Sequence, residues 1–439
     1  MTASNLQAKI ATNSQEIVSL KNIEQSLLSG EIIVVPECLQ KIGFYEQIKQ
    51  ASLEGIQQAV GKEKTARIKD KGFEAFHDII DLDELPKVSD RTYQTIRSIT
   101  PELSKAIVRE VFQQEQPFYC EEYPNVRFHV PYDVVEKRKE EFGKFYWNGK
   151  VTAHGPHHDS WYQCPVNCFN IWIAVSSVKI GNGLNIYPEV YKKRLPCTKE
   201  GKILRDQYFG SMISFELKPG DALIFHGEHL HSSEINSTDA TRYVISLRMT
   251  LDKPEFLDRS PYKNNYIYTQ PHDGIKAKLT ESIAGITRRV AKKIDSTLVK
   301  SEDRYIISPD TAAVFDDTSA NFPKSIAMAT DEQSVEDATK LVFDSSNLPV
   351  GSVKPVSKQI CVARLNSDRV IAFSRSCPHE AADLAGGQLK DGKLFCPWHN
   401  LPLDLENGSS PCQSLPSLTM FNCIEDGNKV EIRTDRNTK

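Results

Sequence analysis

Two short motifs near the C-terminus constrain this chain most: Cys377-Pro378-His379, then, after sixteen residues (380–395), Cys396-Pro397-Trp398-His399. Two cysteines and two histidines at this spacing need two loops held side by side by a common framework. Thiolate and imidazole pairs suit a two-iron, two-sulfide centre, with the cysteines on one iron and the histidines on the other. The same ligand set also fits a tetrahedral zinc ion. The surrounding texture favours the first reading. KPVSKQICVARLNSDRVIAFSRS and SLTMFNCIEDGNKVEIRTD are β-branched and aromatic runs, with NSD and DG at hairpin positions. Short zinc modules rarely carry so long a β context.

Residues from about 340 to 435 resemble a Rieske ferredoxin-type domain, which we place at 338–439. The likeness extends beyond Cys377, His379, Cys396 and His399 to CPHEAADLAGGQL, LFCPWH, LDLENG and SLPSL, which resemble the two cluster loops, the glycine-containing turn after them and the proline loop over the cluster. The resemblance implies an antiparallel β domain carrying a [2Fe–2S] cluster. The high-potential branch of the family adds a disulfide-forming cysteine in each loop, and here those places hold Ala382 and Trp398. That implies the low-potential ferredoxin or oxygenase type. Cys361, Cys412 and Cys423 fall outside the ligand spacing and read as buried thiols.

A Rieske domain moves electrons, so the rest of the 439 residues must carry the chemistry. At roughly 100–200 residues per domain the length allows two or three domains. Lys plus Arg is 54 and Asp plus Glu is 58, a net charge of −4 that gives no basic excess for a nucleic-acid partner. No run of 18 apolar residues suggests a transmembrane helix, and the first residues lack the apolar core of a secretory signal. Ten cysteines then fit a reducing cytoplasm, as ligands or buried thiols.

The apolar spacing of Leu6, Ile10, Ile17, Leu20, Ile23 and Leu27 predicts a helix over 5–29, followed by a buried strand at 31–36. Helical periods recur over 43–60 and 101–113. From about 125, VRFHVPYD, FNIWIAVSSV, LNIYPEV, SMISFELKPGDALIF and TRYVISLRM have the cadence of an antiparallel sandwich or barrel. In the last run Tyr243, Ile245, Leu247 and Met249 share one face, with Val244, Ser246 and Arg248 on the other. Ile275, Leu279, Ile283, Ile286, Val290, Ile294 and Leu298 mark an amphipathic helix with a basic opposite face, read as packing its apolar stripe on its own domain. A membrane surface is the alternative. Residues 300–335 read as a connector.

Within AHGPHHDSWYQCP, His157-His158-Asp159 contains H-x-D, two ligands of a two-histidine, one-carboxylate iron site. On a strand His157 and Asp159 point to one side and His158 to the other. A later strand must supply the third ligand, and His226, His229 and His231 are the candidates. Gly220-Asp221 precedes that strand, Asn182-Gly183-Leu184 leads to a Tyr187-Pro188 turn, Trp172 follows H-x-D, and Arg242 lies 242 − 231 = 11 residues beyond His231.

This pattern, over roughly residues 25–255, resembles the phytanoyl-CoA dioxygenase family of Fe(II)/2-oxoglutarate oxygenases. The resemblance implies a double-stranded β-helix, or jelly roll, within a domain at 1–260. It implies iron on His157, Asp159 and His231. Arg242 and Ser233 would hold the distal carboxylate of 2-oxoglutarate, with Trp172 near that co-substrate. His226 and His229 then become outer-sphere or pocket residues. His154 and His129 read as ordinary polar residues, and Arg127 as a candidate for an anionic group. An aspartate at position 159 argues for hydroxylation or desaturation over halogenation, since related halogenases have a small residue there.

The expected architecture is mainly β with helices (α+β): a jelly-roll oxygenase domain, a helical or irregular connector at 261–337 and the Rieske domain. The expected function is oxidation of an unactivated C–H in a small polar or sugar-like metabolite by dioxygen, with a ferredoxin or reductase as electron donor and oligomerisation open. One alternative is a Rieske-driven oxygenase that uses no 2-oxoglutarate. Another is a redox-sensing binding protein.

Overall fold

The computed structural model describes residues 6–11, 13–137, 153–198, 203, 207, 209–256, 263–298, 312–315 and 340–433. The strands of the N-terminal two thirds are β1 (Ala8–Ile10), β2 (Asn13–Val18), β3 (Ile33–Val35), β4 (Phe118–Glu121), β5 (Asn125–His129), β6 (Phe169–Ala174) and β7 (Leu184–Tyr187). They continue with β8 (Leu195–Thr198), β9 (Ile213–Ser214), β10 (Ala222–His226), β11 (Leu230–Ser233), β12 (Arg242–Thr250), β13 (Tyr266–Thr269) and β14 (Ala312–Phe315). A nine-stranded sheet runs β13-β4-β12-β6-β10-β3-β1-β2, with β5 also on β12, and a three-stranded sheet β11-β7-β9 faces it.

Strand alternation sorts the core into two layers. Ile171, Ile173, Tyr243, Ile245, Leu247 and Met249 pack outward under the helices Tyr45–Lys71 and Leu85–Glu110. Trp172, Leu223, Phe225 and Val244 face inward against Leu184, Ile186 and Phe215. The helices approach so closely that a Cβ on Gly55 would lie 2.5 Å from the Thr92 Cα. The result is the expected jelly roll, covered on one side by helices.

Two expectations fail. The predicted helix over 5–29 is instead the hairpin β1–β2 followed by a short helix, Ile23–Leu28. Leu6, Ala8 and Ile10 alternate into the core, and β1 pairs with β3, so sheet pairing overrides the helical spacing. The helix Ile275–Leu298 forms, but its orientation is inverted. Ile275, Leu279, Ile283, Ile286, Val290 and Ile294 are between 52% and 91% exposed. The other face holds the helix down: Arg288 Nη1 and Lys292 Nζ reach Glu122 at 2.7 and 3.1 Å. Most of the connector at 300–335 lies outside the described residues; Ala312–Phe315 pairs in parallel with β8. Among the described residues no helix is long and apolar enough to cross a membrane. All ten cysteines are free thiols.

The C-terminal domain is an antiparallel six-stranded sheet with a smaller three-stranded sheet, Gln388–Lys390, Lys393–Phe395 and Pro402–Asp404. The expected DG hairpin joins Met420–Asp426 to Lys429–Arg433, with Gly427 at a φ of 60°, and a second turn, Asp391-Gly392, has φ of 50° and 74°, the left-handed geometry of a tight hairpin. The first cluster loop runs from the strand Arg369–Ser374 of the larger sheet to Gln388–Lys390, the second from Lys393–Phe395 to Pro402–Asp404, and both touch the jelly roll, at Tyr132 and at Ser232.

Candidate active site: two metal centres joined by one strand

β12 determines much of the first site. Its even-numbered residues Arg242, Ser246 and Arg248 face the inside of the barrel. His157 forms an isolated bridge to His231, and Asp159 opens a short 3-10 turn, Asp159–Tyr162. The H-x-D motif is therefore a strand only at its first residue. Even so, the ligand atoms of His157, Asp159 and His231 lie within 4.8 Å of one another, all buried. His158 points away, as expected, and its Nδ1 pairs with the Glu228 carbonyl at 2.9 Å.

The donor set fits an iron ion. His157 Nδ1 meets the Gly155 carbonyl at 2.8 Å and His231 Nδ1 meets the His229 carbonyl at 2.9 Å, which fixes the tautomer and leaves each Nε2 as a bare donor. Burial lowers the pKa of both imidazoles, so they stay neutral, the form that ligates. Burial alone would push the Asp159 carboxyl up. Arg248, with His231, overrides this and holds it well below the usual carboxylate range. Arg248 Nη2 and Nε reach Asp159 Oδ1 at 2.6 and 3.0 Å, and Asn170 Nδ2 donates to Oδ2 at 3.1 Å.

The anion-binding side is equally built. Arg242 is fully buried, its Nη1 donating to the carbonyls of Asn182 and Gly183 at 2.8 and 2.7 Å. Its guanidinium lies 5.3 Å above the Trp172 ring. Its Nε is buried with no hydrogen-bond partner. Among the described residues Arg242 makes no ion pair within 4 Å. Burial and the neighbouring Arg127 push its pKa well below the ordinary arginine value, and burial lowers Arg127 to about 10. Arg127 is half-buried, and its Nη1 donates to Ser233 Oγ at 3.1 Å. Two close guanidiniums, a hydroxyl and an orphaned N–H in a dry barrel fit a carboxylate group.

The remaining histidines take lesser places. His229 stacks on Tyr191 at 4.4 Å and serves His231 through its carbonyl, and His226 Nδ1 accepts from the Glu228 amide. His154 lies 5.2 Å from the His157 ring. The His129 carbonyl accepts from Asn236 at 2.7 Å.

The second site gathers Cys377, His379, Cys396 and His399. The thiols hydrogen-bond each other, which lowers the pKa of Cys377, while burial raises that of Cys396. The imidazole rings meet edge-on at 4.9 Å. The histidines and thiols do not close into one tight set: the group within 4.8 Å around His379 is His379, Glu380 and His399. A tetrahedral ion would draw all four ligand atoms to within about 4 Å. Separate thiol and imidazole pairs fit two bridged irons instead.

Sequence reasoning missed Arg248, Asn170 and the contact between the centres. Arg248 carried a usable signal, because it shares the strand face of Arg242.

The Phytanoyl-CoA dioxygenase (PhyH) family model matches residues 48–244, and the Rieske [2Fe-2S] domain model matches residues 338–425. Among curated proteins, the vanillate O-demethylase oxygenase subunit of Pseudomonas sp. (strain ATCC 19151) is 34% identical over 70 residues, 16% of this chain and 20% of that protein. The chain thus spans about a fifth of the length of the curated relatives it matches. Among solved structures, the ferredoxin of carbazole 1,9a-dioxygenase from Nocardioides aromaticivorans IC177 is 22% identical, covering 22% of this chain and 100% of that one, with a TM-score of 0.20. The epimerase SnoN in complex with Fe3+, alpha ketoglutarate and nogalamycin RO is 14% identical, covering 58% and 87%, with a TM-score of 0.33. The two family matches and the two ligand sets together identify a phytanoyl-CoA dioxygenase domain, of the iron- and 2-oxoglutarate-dependent kind, joined in one polypeptide to a C-terminal Rieske [2Fe–2S] domain.

Proposed function

We propose that this chain is a non-haem Fe(II)/2-oxoglutarate oxygenase that hydroxylates or desaturates an unactivated C–H of a small polar, sugar-like metabolite in the cytoplasm, and that its Rieske cluster restores electrons at the iron. The observation that carries this reading is Arg242, a buried cation with an orphaned Nε beside a buried His-Asp-His set. When bound, iron and 2-oxoglutarate supply the oxidising power for C–H cleavage, with dioxygen as the other co-substrate and succinate and carbon dioxide as co-products.

The chain's own residues bind and orient. His157 and His231 would hold the metal through Nε2 and Asp159 through a carboxylate oxygen, with Arg248 and Asn170 fixing that carboxylate. Arg242 and Ser233 would hold the distal carboxylate of 2-oxoglutarate, helped by Arg127, with Trp172 as the wall beneath the guanidinium. Burial of all three ligand side chains excludes water from the reacting centre. A Rieske-driven oxygenase without 2-oxoglutarate would have no use for the Arg242 site.

A 2-oxoglutarate oxygenase draws its turnover electrons from the keto acid, so the cluster's role is repair of iron that has slipped to the ferric state. Cys377→Ser then leaves the first turnovers intact and shortens the working life of the enzyme. Total succinate released per chain, with and without an added reductant, is the measurement. Unchanged total turnover without reductant contradicts the repair role.

A further inference from the structure

β11 is the wall between the two centres, and its alternation gives one residue to each side. His231 and Ser233 face the barrel interior, while Ser232 faces the Rieske domain and donates its Oγ–H to the Trp398 carbonyl at 2.7 Å. We propose that Ser232, through this hydrogen bond to Trp398, is the link that carries an electron from the cluster to the iron of the same chain. The inference rests on the reading that the Rieske cluster restores electrons at the iron.

Ser232 follows His231 and Trp398 precedes His399. From one candidate ligand to the other the route is covalent except for a single hydrogen bond. Tyr187 clamps the same point: its Oη donates to the Pro397 carbonyl at 2.6 Å and lies 3.1 Å from Ser232 Oγ. The contact is dry, since Ser232, Tyr187 and His399 are all buried, and hydrogen bonds strengthen in such surroundings.

The cluster's imidazole side is directed at this wall. The His399 carbonyl accepts from the Ile235 amide at 3.1 Å, and the His379 ring meets Tyr132 edge-on at 5.4 Å. Other contacts brace the interface off the route. Asn400 Nδ2 donates to Glu234 at 2.6 Å, and the Asp133 carboxylate accepts from the amides of Gln413 and Ser414 at 2.9 and 2.8 Å.

The step balances as one electron. The reduced cluster returns to its diferric form and a ferric ion at His157, Asp159 and His231 becomes ferrous. No atom is transferred. A ferredoxin or an NAD(P)H-linked reductase re-reduces the cluster.

The test uses the full chain with its cluster, loaded with ferric iron at the second site and given stoichiometric dithionite without oxygen. Recovery of the oxidised cluster's absorption and loss of the ferric paramagnetic signal are followed together by rapid freeze-quench. In the wild-type chain the two proceed in step. Ser232→Ala slows both by about tenfold or more, in line with other substitutions that remove a support of a metal ligand, while the cluster's spectrum is unchanged. Ser232→Thr, which keeps the hydroxyl, restores the rate. Asp133→Ala breaks an interface contact off the route and leaves the rate at the wild-type value. Tyr187→Phe removes the neighbouring hydroxyl and also slows transfer, which covers a Ser232→Ala chain that does not fold. If the wild-type cluster never reduces the ferric ion, the electron-restoring reading itself fails. If it does, and Ser232→Ala matches wild type or Asp133→Ala slows it equally, the Ser232 link is overturned and that reading stands.

Discussion

Replacing Arg242 with alanine weakens 2-oxoglutarate binding by about two to three orders of magnitude. A carboxylate left buried without its cation costs about 3–5 kcal/mol, and each ~1.4 kcal/mol is about tenfold in affinity. Arg127 remains as a second guanidinium near the carboxylate, so what is lost is the paired Arg242 contact and not all of the positive charge. Arg127 is already engaged with Ser233, and the Arg242 guanidinium is held over Trp172 by the carbonyls of Asn182 and Gly183. The Gly183 carbonyl keeps the Glu234 amide as a donor at 3.1 Å, so the loss of the guanidinium falls on the co-substrate site and not on these backbone groups. Arg242→Lys recovers only part of the affinity, because a point charge cannot present two parallel N–H groups. Iron binding survives in both variants. Calorimetric titration with 2-oxoglutarate, paired with substrate oxidation, reads the effect. If neither affinity nor oxidation moves, the 2-oxoglutarate reading fails and a barrel driven by cluster electrons becomes the better account.

Arg248→Met releases iron from the first site. Arg248 gives Asp159 Oδ1 two charge-assisted hydrogen bonds and sits 3.3 Å from Glu121. Without it Asp159 faces the burial penalty with only Asn170 and the histidines in support, and iron affinity falls by about 10–100-fold. The pH dependence follows from the sign of the shift. The folded carboxyl is depressed below its unfolded value, near 3.9, so its contribution is present above that value and lost as pH falls through the depressed one. In Arg248→Met the carboxyl rises, and the acid limit of iron retention moves to higher pH. Metal content after dialysis across a pH series measures it. Iron retention matching the wild-type chain at every pH removes Arg248 from this role.

How much was legible in the sequence depended on the range of the interaction. The cluster loops were legible because four ligands and their hairpin turns sit within 377–399. The iron site needed a longer reach, from Asp159 to His231 and Arg242: spacing left His226, His229 and His231 open as the third ligand, and the resemblance to the phytanoyl-CoA dioxygenase family chose among them. Alternation held the signal for Arg248 and for the strand at Leu6, Ala8 and Ile10, which competed with a helical period in the same residues. The inverted helix Ile275–Leu298 was not legible, because Glu122, more than 150 residues earlier in the chain, decides which face packs. Nor was the Ser232–Trp398 contact, whose partners are 166 positions apart and individually unremarkable in composition.

The central claim is that one chain holds two separate iron centres. Iron counting on anaerobically purified protein, read beside the cluster's visible absorption, tests it most directly. The account predicts about three irons per chain, two in the cluster and one on His157, Asp159 and His231. His157→Ala then retains about two, with cluster absorption unchanged. A folded His157→Ala chain that loses the cluster absorption along with its iron, or a wild-type chain that never binds more than the cluster's irons, would contradict it.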